Sequence, residues 1–222
     1  MKQKESDVTE VTRNTYDAIA AGYSQKIKDL VEDSWIGKYE RALLDKFIGL
    51  IPAAEEDKLK VLDIGCGYGK DTFYLSRQKG ITAVGLDYSQ GMLAEAQEAF
   101  PGIDFVQMDM RSLLFPGNSF GGVWANGCIY HIPKKDIKLV LAEVRRVLKS
   151  SGVFLFNFKL GNVEKMEQNP KSYGGKPRFY SYYETEEMKV LITESGLRMI
   201  ESVPYPEEIF GEKITHIWAL KQ

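Results

Sequence analysis

The chain has 222 residues, 44% hydrophobic and 27% charged, with 29 Lys and Arg against 31 Asp and Glu and a formal net charge of -2. That length suits one α/β core with one active site, and the near-neutral charge argues against a dedicated nucleic-acid binder. Two cysteines, Cys66 and Cys128, exclude a disulfide scaffold and a four-cysteine zinc site; the polar start Met1-Lys2-Gln3-Lys4-Glu5-Ser6-Asp7 and the lack of a membrane-length apolar run leave a reducing cytoplasm as the expected location, with no membrane partner.

Tyr16, Ile19, Ala20, Tyr23, Ile27 and Leu30 recur at helical spacing and predict an amphipathic helix. A second helix is expected over 35–51, with Leu43, Leu44, Phe47 and Ile48 inward, stopped by Pro52 and followed by a polar linker at 53–58. From Leu59 onward strands at 59–64, 82–86, 103–107, 120–125 and 152–158 alternate with helices at 71–79, 90–100 and 134–148. Such alternation means βαβ units and a parallel sheet. The stretch 159–183 is polar and rich in Gly, Pro and Tyr, with five basic residues (Lys159, Lys165, Lys171, Lys176, Arg178) against two acidic ones (Glu164, Glu167). It is expected to be an irregular acceptor-side insert or lid. A helix at 185–195 and strands at 197–204 and 212–221 close the chain. One domain results: a helical flank (1–58), a nucleoside-binding core (59–158), the insert (159–183) and a C-terminal helix with strands (184–222).

The strongest local signal is Val61-Leu62-Asp63-Ile64-Gly65-Cys66-Gly67-Tyr68-Gly69, an apolar strand running into a glycine-rich turn and a helix. Glycines there allow positive φ and close approach of a ligand to backbone. The next two strands also deliver an acid to the same edge, at Gly85-Leu86-Asp87 and Gln107-Met108-Asp109. A lone strand-end Asp caps a helix or turn, whereas three in register around a glycine turn suit a ribose and a cationic ligand. The spacing is wrong for phosphates: Lys70 is followed by Asp71 rather than Ser or Thr, Ile64 stands where a P-loop has its first glycine, and Gly69 falls one position early for a dinucleotide fingerprint.

These motifs, in this order, resemble those of the class I S-adenosylmethionine-dependent methyltransferases, in the small-molecule branch known as methyltransferase type 11/25; the likeness continues through Phe120-Gly121-Gly122-Val123-Trp124-Ala125 and Glu143-Val144-Arg145-Arg146-Val147-Leu148. The resemblance implies a Rossmann-like, mainly parallel seven-stranded sheet with helices on both faces and an antiparallel C-terminal strand. It implies S-adenosyl-L-methionine as cofactor, with Asp63, Gly65, Cys66, Gly67 and Gly69 around its methionine and ribose, Asp87 on the ribose diol, Tyr88 and Met92 near the adenine, Asp109 accepting from the adenine amino group beside Met110, Asn126 facing the methionine or acceptor, and Tyr16 or Tyr23 reaching the carboxylate. Ordinary packing is the competing role for the two tyrosines. Gly121 departs from the family's usual Phe-Asp at that strand.

Methyl transfer from a sulfonium is an in-line displacement, so positioning and water exclusion supply much of the catalysis. His131 and Tyr130 are the candidates for proton transfer, with loop orientation the competing role, and His216 reads as structural. Tyr130, His131, Arg178, Tyr180 and Tyr182 are expected on the acceptor side. No metal site is expected. Three readings stand at this point: methylation of a small molecule, which the acidic charge balance favours; methylation of RNA such as tRNA, or of protein; and a non-catalytic cofactor-binding module.

Overall fold

The computed structural model describes residues 7–31, 34–52, 59–168, 173–206 and 213–222. The linker expected at 53–58, residues 169–172 of the insert, the side chain of Leu30 and the first residue of the strand expected at 212–221 lie outside them. Two helices come first, α1 (Val8–Val31) and α2 (Trp35–Leu50), the second capped by the Ser34 hydroxyl, which accepts from the Gly37 N–H at 3.1 Å. The alternating elements follow as β1 (Leu59–Ile64), α3 (Lys70–Ser76), β2 (Ile81–Asp87), α4 (Gln90–Ala99), β3 (Asp104–Gln107), β4 (Phe120–Ala125), α5 (Ile137–Val147) and β5 (Leu148–Leu160). The helix expected from 134 begins instead with a 3-10 turn, Lys134–Asp136, after Pro133. Beyond β5 come β6 (Glu164–Glu167), β7 (Arg178–Tyr183), α6 (Thr185–Glu194), β8 (Leu197–Pro204) and β9 (Ile214–Lys221).

Strands β3-β2-β1-β4-β5 run parallel in that order. Strand β9 lies antiparallel on β5, from Val153↔Leu220 to Lys159↔Ile214, and β8 pairs outside it. These strands form the Rossmann-like sheet that the motif order predicts. The insert differs from expectation. It begins as the end of β5, and β7 then pairs parallel with β5 through Lys159↔Tyr182 and Leu160↔Tyr183, while β6 pairs antiparallel with β7. Its Gly and Pro content suggested irregular chain, but the aromatic run of β7 has high strand propensity and a place to bury: Phe179, Tyr180, Ser181, Tyr182 and Tyr183 are all buried.

Side chains alternate across each strand, which sorts β5 into two faces. Phe154, Phe156 and Phe158 join Leu62, Ile64, Val123 and Ile217 in a core covered by Val140 and Val144 of α5 and Met188 and Ile192 of α6. Val153 and Leu155 join Val61, Trp124 and Trp218 beneath Leu43, Leu44 and Phe47 of α2. By the same alternation this second face turns polar toward the strands' carboxyl ends, at Asp63 on β1 and at Asn157 and Lys159 on β5. The departure at Gly121 has a packing reason: a Cβ there would stand 2.4 Å from Leu59 Cδ1, and one on Gly122 2.7 Å from Phe47 Cζ. Bare backbone lets β1 and α2 close on β4.

Helix α1 lies against the start of α4. A Cβ on Gly91 would stand 2.8 Å from the Asp17 carbonyl oxygen and 2.9 Å from its Cα, so the two backbones approach as only a glycine permits. One Asp17 carboxylate oxygen accepts from the Gly91 N–H at 2.9 Å and from the Ser89 hydroxyl at 2.7 Å, while the Ser89 oxygen caps the Met92 N–H at 3.1 Å. Gly91→Ala should therefore destabilise the protein by about 1–2 kcal/mol, although Ala is the better helix former by about 1 kcal/mol, because overpacking against backbone outweighs propensity. Urea unfolding measures it. A variant as stable as the parent would show that α1 does not hold this close position.

Candidate active site

A cavity of about 610 Å³ opens at the carboxyl end of the parallel strands, with α1 as one wall. The polar end of the second sheet face supplies its floor: Asp63, Asp87, Asp109, Asn126, Asn157 and Lys159 all line it. The glycine turn after β1 forms one rim, with φ of +68° at Gly65, +55° at Gly67 and +84° at Gly69. Gly65 admits no side chain: its Cβ would stand 2.3 Å from Cys128 Cβ. Gly65, Cys66 and Gly67 line the cavity, whereas Gly69 does not. Its positive φ starts α3, and a Cβ on it would meet Phe105 at 2.6 Å, so it serves the turn and its packing rather than a ligand.

Asp87 ties the two βα turns together. Its Oδ2 accepts from the Gly67 N–H at 2.8 Å and its Oδ1 from the Ser89 N–H at 2.9 Å. Burial pushes its carboxyl above the usual range, opposed by those amides, which favour the ionised form. A carboxylate has about four acceptor positions, so the amides leave room for a ligand. Asp63 is more deeply buried, accepts from the Thr72 hydroxyl at 2.6 Å, and is pushed well up by burial and then by Asp71. Asp109 lines the cavity beside Met110, but its carboxylate receives Arg111, at 2.7 Å from the closest guanidinium nitrogen, and Arg111 also bridges to Asp136 and Asp7 at 3.2 Å each. Tyr88 and Met92 are on the wall; the Tyr88 hydroxyl donates to Glu10 of α1, which pushes its pKa up to about 12.

At the other end of the cavity, Tyr16 of α1 meets His131. The His131 Nδ1 lies 2.7 Å from the Phe179 carbonyl, which can only accept, so Nδ1 carries the proton. Its Nε2 then accepts from the Tyr16 hydroxyl at 2.9 Å, and the Tyr16 oxygen receives Arg178 at 3.4 Å. Burial pushes the ring's pKa down to about 3. A neutral imidazole with both nitrogens engaged orients the loop between β4 and α5 against β7 and has no free acceptor for a substrate proton. Tyr130, half-buried on the wall, is pushed well above its ordinary value by burial. Tyr23, Arg178 and Tyr180 also line the cavity; Tyr182 does not, and its hydroxyl donates to Glu167 at 2.8 Å.

Asn157 was not singled out by the sequence motifs. Its Nδ2 donates to the Asn126 side-chain oxygen at 2.6 Å, its Oδ1 accepts from the Gly127 N–H at 2.8 Å, and Nδ2 lies 3.5 Å from His216 Nε2. The signal was present as a polar residue in the otherwise apolar run Val153-Phe154-Leu155-Phe156-Asn157-Phe158. Lys159 is its partner on the same face. Asp17, Glu10 and Gly91, which fix α1, left no motif because their roles depend on an element far away in sequence.

Set beside known proteins, residues 61–152 match the methyltransferase domain family. A malonyl-[acyl-carrier protein] O-methyltransferase of Hamiltonella defensa is 30% identical over 177 residues, covering 76% of this chain and 67% of that protein. A sterol 24-C-methyltransferase of Gibberella zeae is 34% identical over 128 residues, 55% of this chain but 32% of its own length, so the chain spans about a third of that relative. Among solved structures, the 1,6-didemethyltoxoflavin-N1-methyltransferase of Burkholderia thailandensis superposes with a TM-score of 0.71 at 20% identity, covering 100% of this chain and 93% of that one. Fold and glycine-turn cavity together define a class I methyltransferase scaffold. The chain belongs to the S-adenosylmethionine-dependent methyltransferase family.

The two buried histidines give the fold a pH signature. His131 is pushed down to about 3 and His216 to about 4 by burial, against an ordinary 6.5. Below that value the unfolded chain binds protons that the folded one refuses, so their contribution to stability is present above about pH 6.5 and lost as pH falls toward 4, by up to about 1.4 kcal/mol per pH unit for each ring. Asp63 and Asp87, raised by burial, work in the opposite sense at acid pH. Urea unfolding at a series of pH values should therefore lose stability less steeply in a His131→Asn, His216→Asn double variant than in the parent. Equal slopes would mean that the rings are not held neutral.

Proposed function

We propose that the chain binds S-adenosyl-L-methionine in this cavity and transfers its methyl group to a small-molecule acceptor. Fold alone does not carry this, since one scaffold hosts many functions. The observation that carries it is the Asp87 carboxylate, pinned on the cavity wall by the Gly67 and Ser89 amides with acceptor positions to spare for a ribose diol. The cofactor's residues fit in kind. Tyr88, Met92, Met108 and Met110 offer a soft, apolar bed for adenine, Asp109 an acceptor already shared with Arg111, and Asn126 and Tyr23 polar groups for the methionine end, where Tyr16 already gives its hydroxyl proton to His131. Asp63 supports this rim indirectly, by holding Thr72 of α3.

When bound, the cofactor supplies a sulfonium whose methyl is displaced in line. The chain's part is to hold the acceptor opposite that methyl and exclude water, with α1 over the strand ends and Tyr130, His131 and Tyr180 as the far wall. Since His131 has both nitrogens engaged, it positions rather than deprotonates. Two relatives named for acyl-carrier-bound malonyl and sterol acceptors support non-nucleic-acid chemistry, as does a cavity walled by a helix rather than an open basic track. Movement of β6 over the acceptor belongs to the same reading, with the Gly161 φ of +147° beside the Tyr182 ring as a hinge position. Two unbonded cysteines, both lining the cavity, suit a reducing compartment such as the cytoplasm.

Asp87→Ala should weaken S-adenosylhomocysteine binding by roughly 1.5–3 kcal/mol, about ten- to a hundredfold, as expected for charge-assisted hydrogen bonds. Because Asp87 also holds two turn amides, the variant should lose folding stability by about 1–3 kcal/mol, and Asp87→Asn less. Titration calorimetry on the folded variants reads the first effect. Unchanged affinity would place the ribose elsewhere and remove the main support for this assignment.

A further inference from the structure

Asn126 leaves the end of β4 on the cavity wall, and its orientation is set by two residues outside the cofactor motifs. Asp63 of β1 pairs with Trp124 of β4, Ala125 of β4 with Phe156 of β5, and Asn157 of β5 with His216 of β9. Asn126, Asn157 and His216 therefore form a row across three neighbouring strands, one residue beyond Ala125 and Phe156. By alternation the row shares the face of Asp63 and Trp124.

Hydrogen bonding along this row leaves one direction for each amide. The Gly127 N–H can only donate, so the Asn157 atom 2.8 Å from it is Oδ1, and the atom 2.6 Å from Asn126 is Nδ2. That nitrogen can only donate in turn, so Asn126 gives it Oδ1. Reversing the Asn157 amide would set a donor against the Gly127 N–H. The same Nδ2 lies 3.5 Å from His216 Nε2, which is open to accept because burial keeps the ring neutral, its pKa pushed down to about 4. Asn157 is 4% exposed and both its polar atoms are engaged, so it reaches a ligand only through Asn126. Asn126 makes no further hydrogen bond among the described residues, and its Nδ2, a donor, is the atom left for the cavity.

The position of this donor matches one part of the cofactor. The loop that begins at Asn126 packs on the glycine turn so closely that a Cβ on Gly65 would stand 2.3 Å from Cys128 Cβ. With a ribose on Asp87, whose carboxylate is tied to Gly67 of that turn, the methionine tail extends along the turn toward Gly65 and Asn126. Asp87 and Asp109 accept, which suits ribose hydroxyls and an adenine amino group, whereas a carboxylate needs a donor.

We propose that Asn157, backed by His216, is a positioning residue that holds the Asn126 amide with its nitrogen toward the methionine carboxylate of the cofactor, which Asn126 binds as a donor. This rests on the methyltransferase reading for the identity of the ligand. An unpartnered asparagine presents either end of its amide and loses rotamer freedom on binding; a buried partner settles both beforehand.

The test is titration calorimetry of the full chain with S-adenosylhomocysteine and with its decarboxylated analogue, which keeps the amine and lacks only the carboxylate. Asn126→Ala and Asn157→Ala should each weaken S-adenosylhomocysteine by about tenfold and the analogue by less than about twofold, as loss of a hydrogen bond to one charged group requires. The double variant should bind S-adenosylhomocysteine no more weakly than Asn126→Ala, because the second residue acts through the first. A merely structural Asn157 would weaken both ligands together and add its effect to that of Asn126→Ala. That outcome, or full S-adenosylhomocysteine affinity in either folded single variant, would overturn the proposal. Should Asn157→Ala fail to fold, Asn157→Asp decides: it keeps an acceptor for Gly127 but takes the donor from Asn126, so it should weaken S-adenosylhomocysteine more in the parent than in the Asn126→Ala background. Equal losses in the two backgrounds would count against the proposal, since they would reflect only the added charge. A parent chain that binds no S-adenosylhomocysteine would instead overturn the methyltransferase reading.

Discussion

The close approach of α1 to the start of α4, made by Gly91 and locked by Asp17, is the constraint on which the cavity depends. Without it the strand ends would form an open edge. With it, the Asp17 carboxylate caps Ser89 and Gly91 at the place where Asp87 reaches back to the same turn. The helix that covers the cavity and the carboxylate that faces into it are thereby fixed by one short segment, 87–91. Their geometries cannot drift apart separately.

From that contact the helix continues to β7. Thr12 accepts from the Phe179 N–H at 2.9 Å and Thr15 donates to the Pro177 carbonyl at 2.6 Å, so α1 satisfies backbone groups of the strand beside β5. Tyr16 then meets His131, which bonds the same Phe179 through its carbonyl. The result is a closed ring of contacts from α1 to β7 and back to α1 through the loop after β4, with α4 anchored to the same helix. A buried polar group is tolerated only when paired, and the pairing here uses one partner from each element. Burial inside that ring, with the Arg178 charge behind Tyr16, keeps His131 neutral.

The opposite ends of the cavity differ in chemistry for a reason visible in the strands. Early strands end in acids, at Asp63, Asp87 and Asp109, and suit a ligand with hydroxyls and positive charge. The later strand β5 ends in Asn157 and Lys159, followed by β7 with Arg178, and carries the opposite sign. The early strands thus bring acids to the cavity, and the later ones bring Asn157, Lys159 and Arg178.

The sequence by itself determined the order of strands and helices outside 159–183, the boundaries of β4 and β8, and the positions of the glycine turn and strand-end acids, because each follows from a short-range pattern: period-two or period-3.6 hydrophobicity, and glycines where φ must be positive. It also pointed to Tyr16, Tyr130, His131, Arg178 and Tyr180, all of which reach the cavity wall. Tertiary structure decided the rest. Arg-Phe-Tyr-Ser-Tyr-Tyr became a strand because the end of β5 gave it a partner, which no local pattern announces; Tyr182 turned to Glu167, and Gly69 to Phe105, because their neighbours come from other elements. Asp109 was readable as a strand-end acid, but the bridges from its neighbour Arg111 to Asp7 and Asp136 were not, nor was His131 as a neutral link between Tyr16 and Phe179, since those roles join residues far apart in sequence.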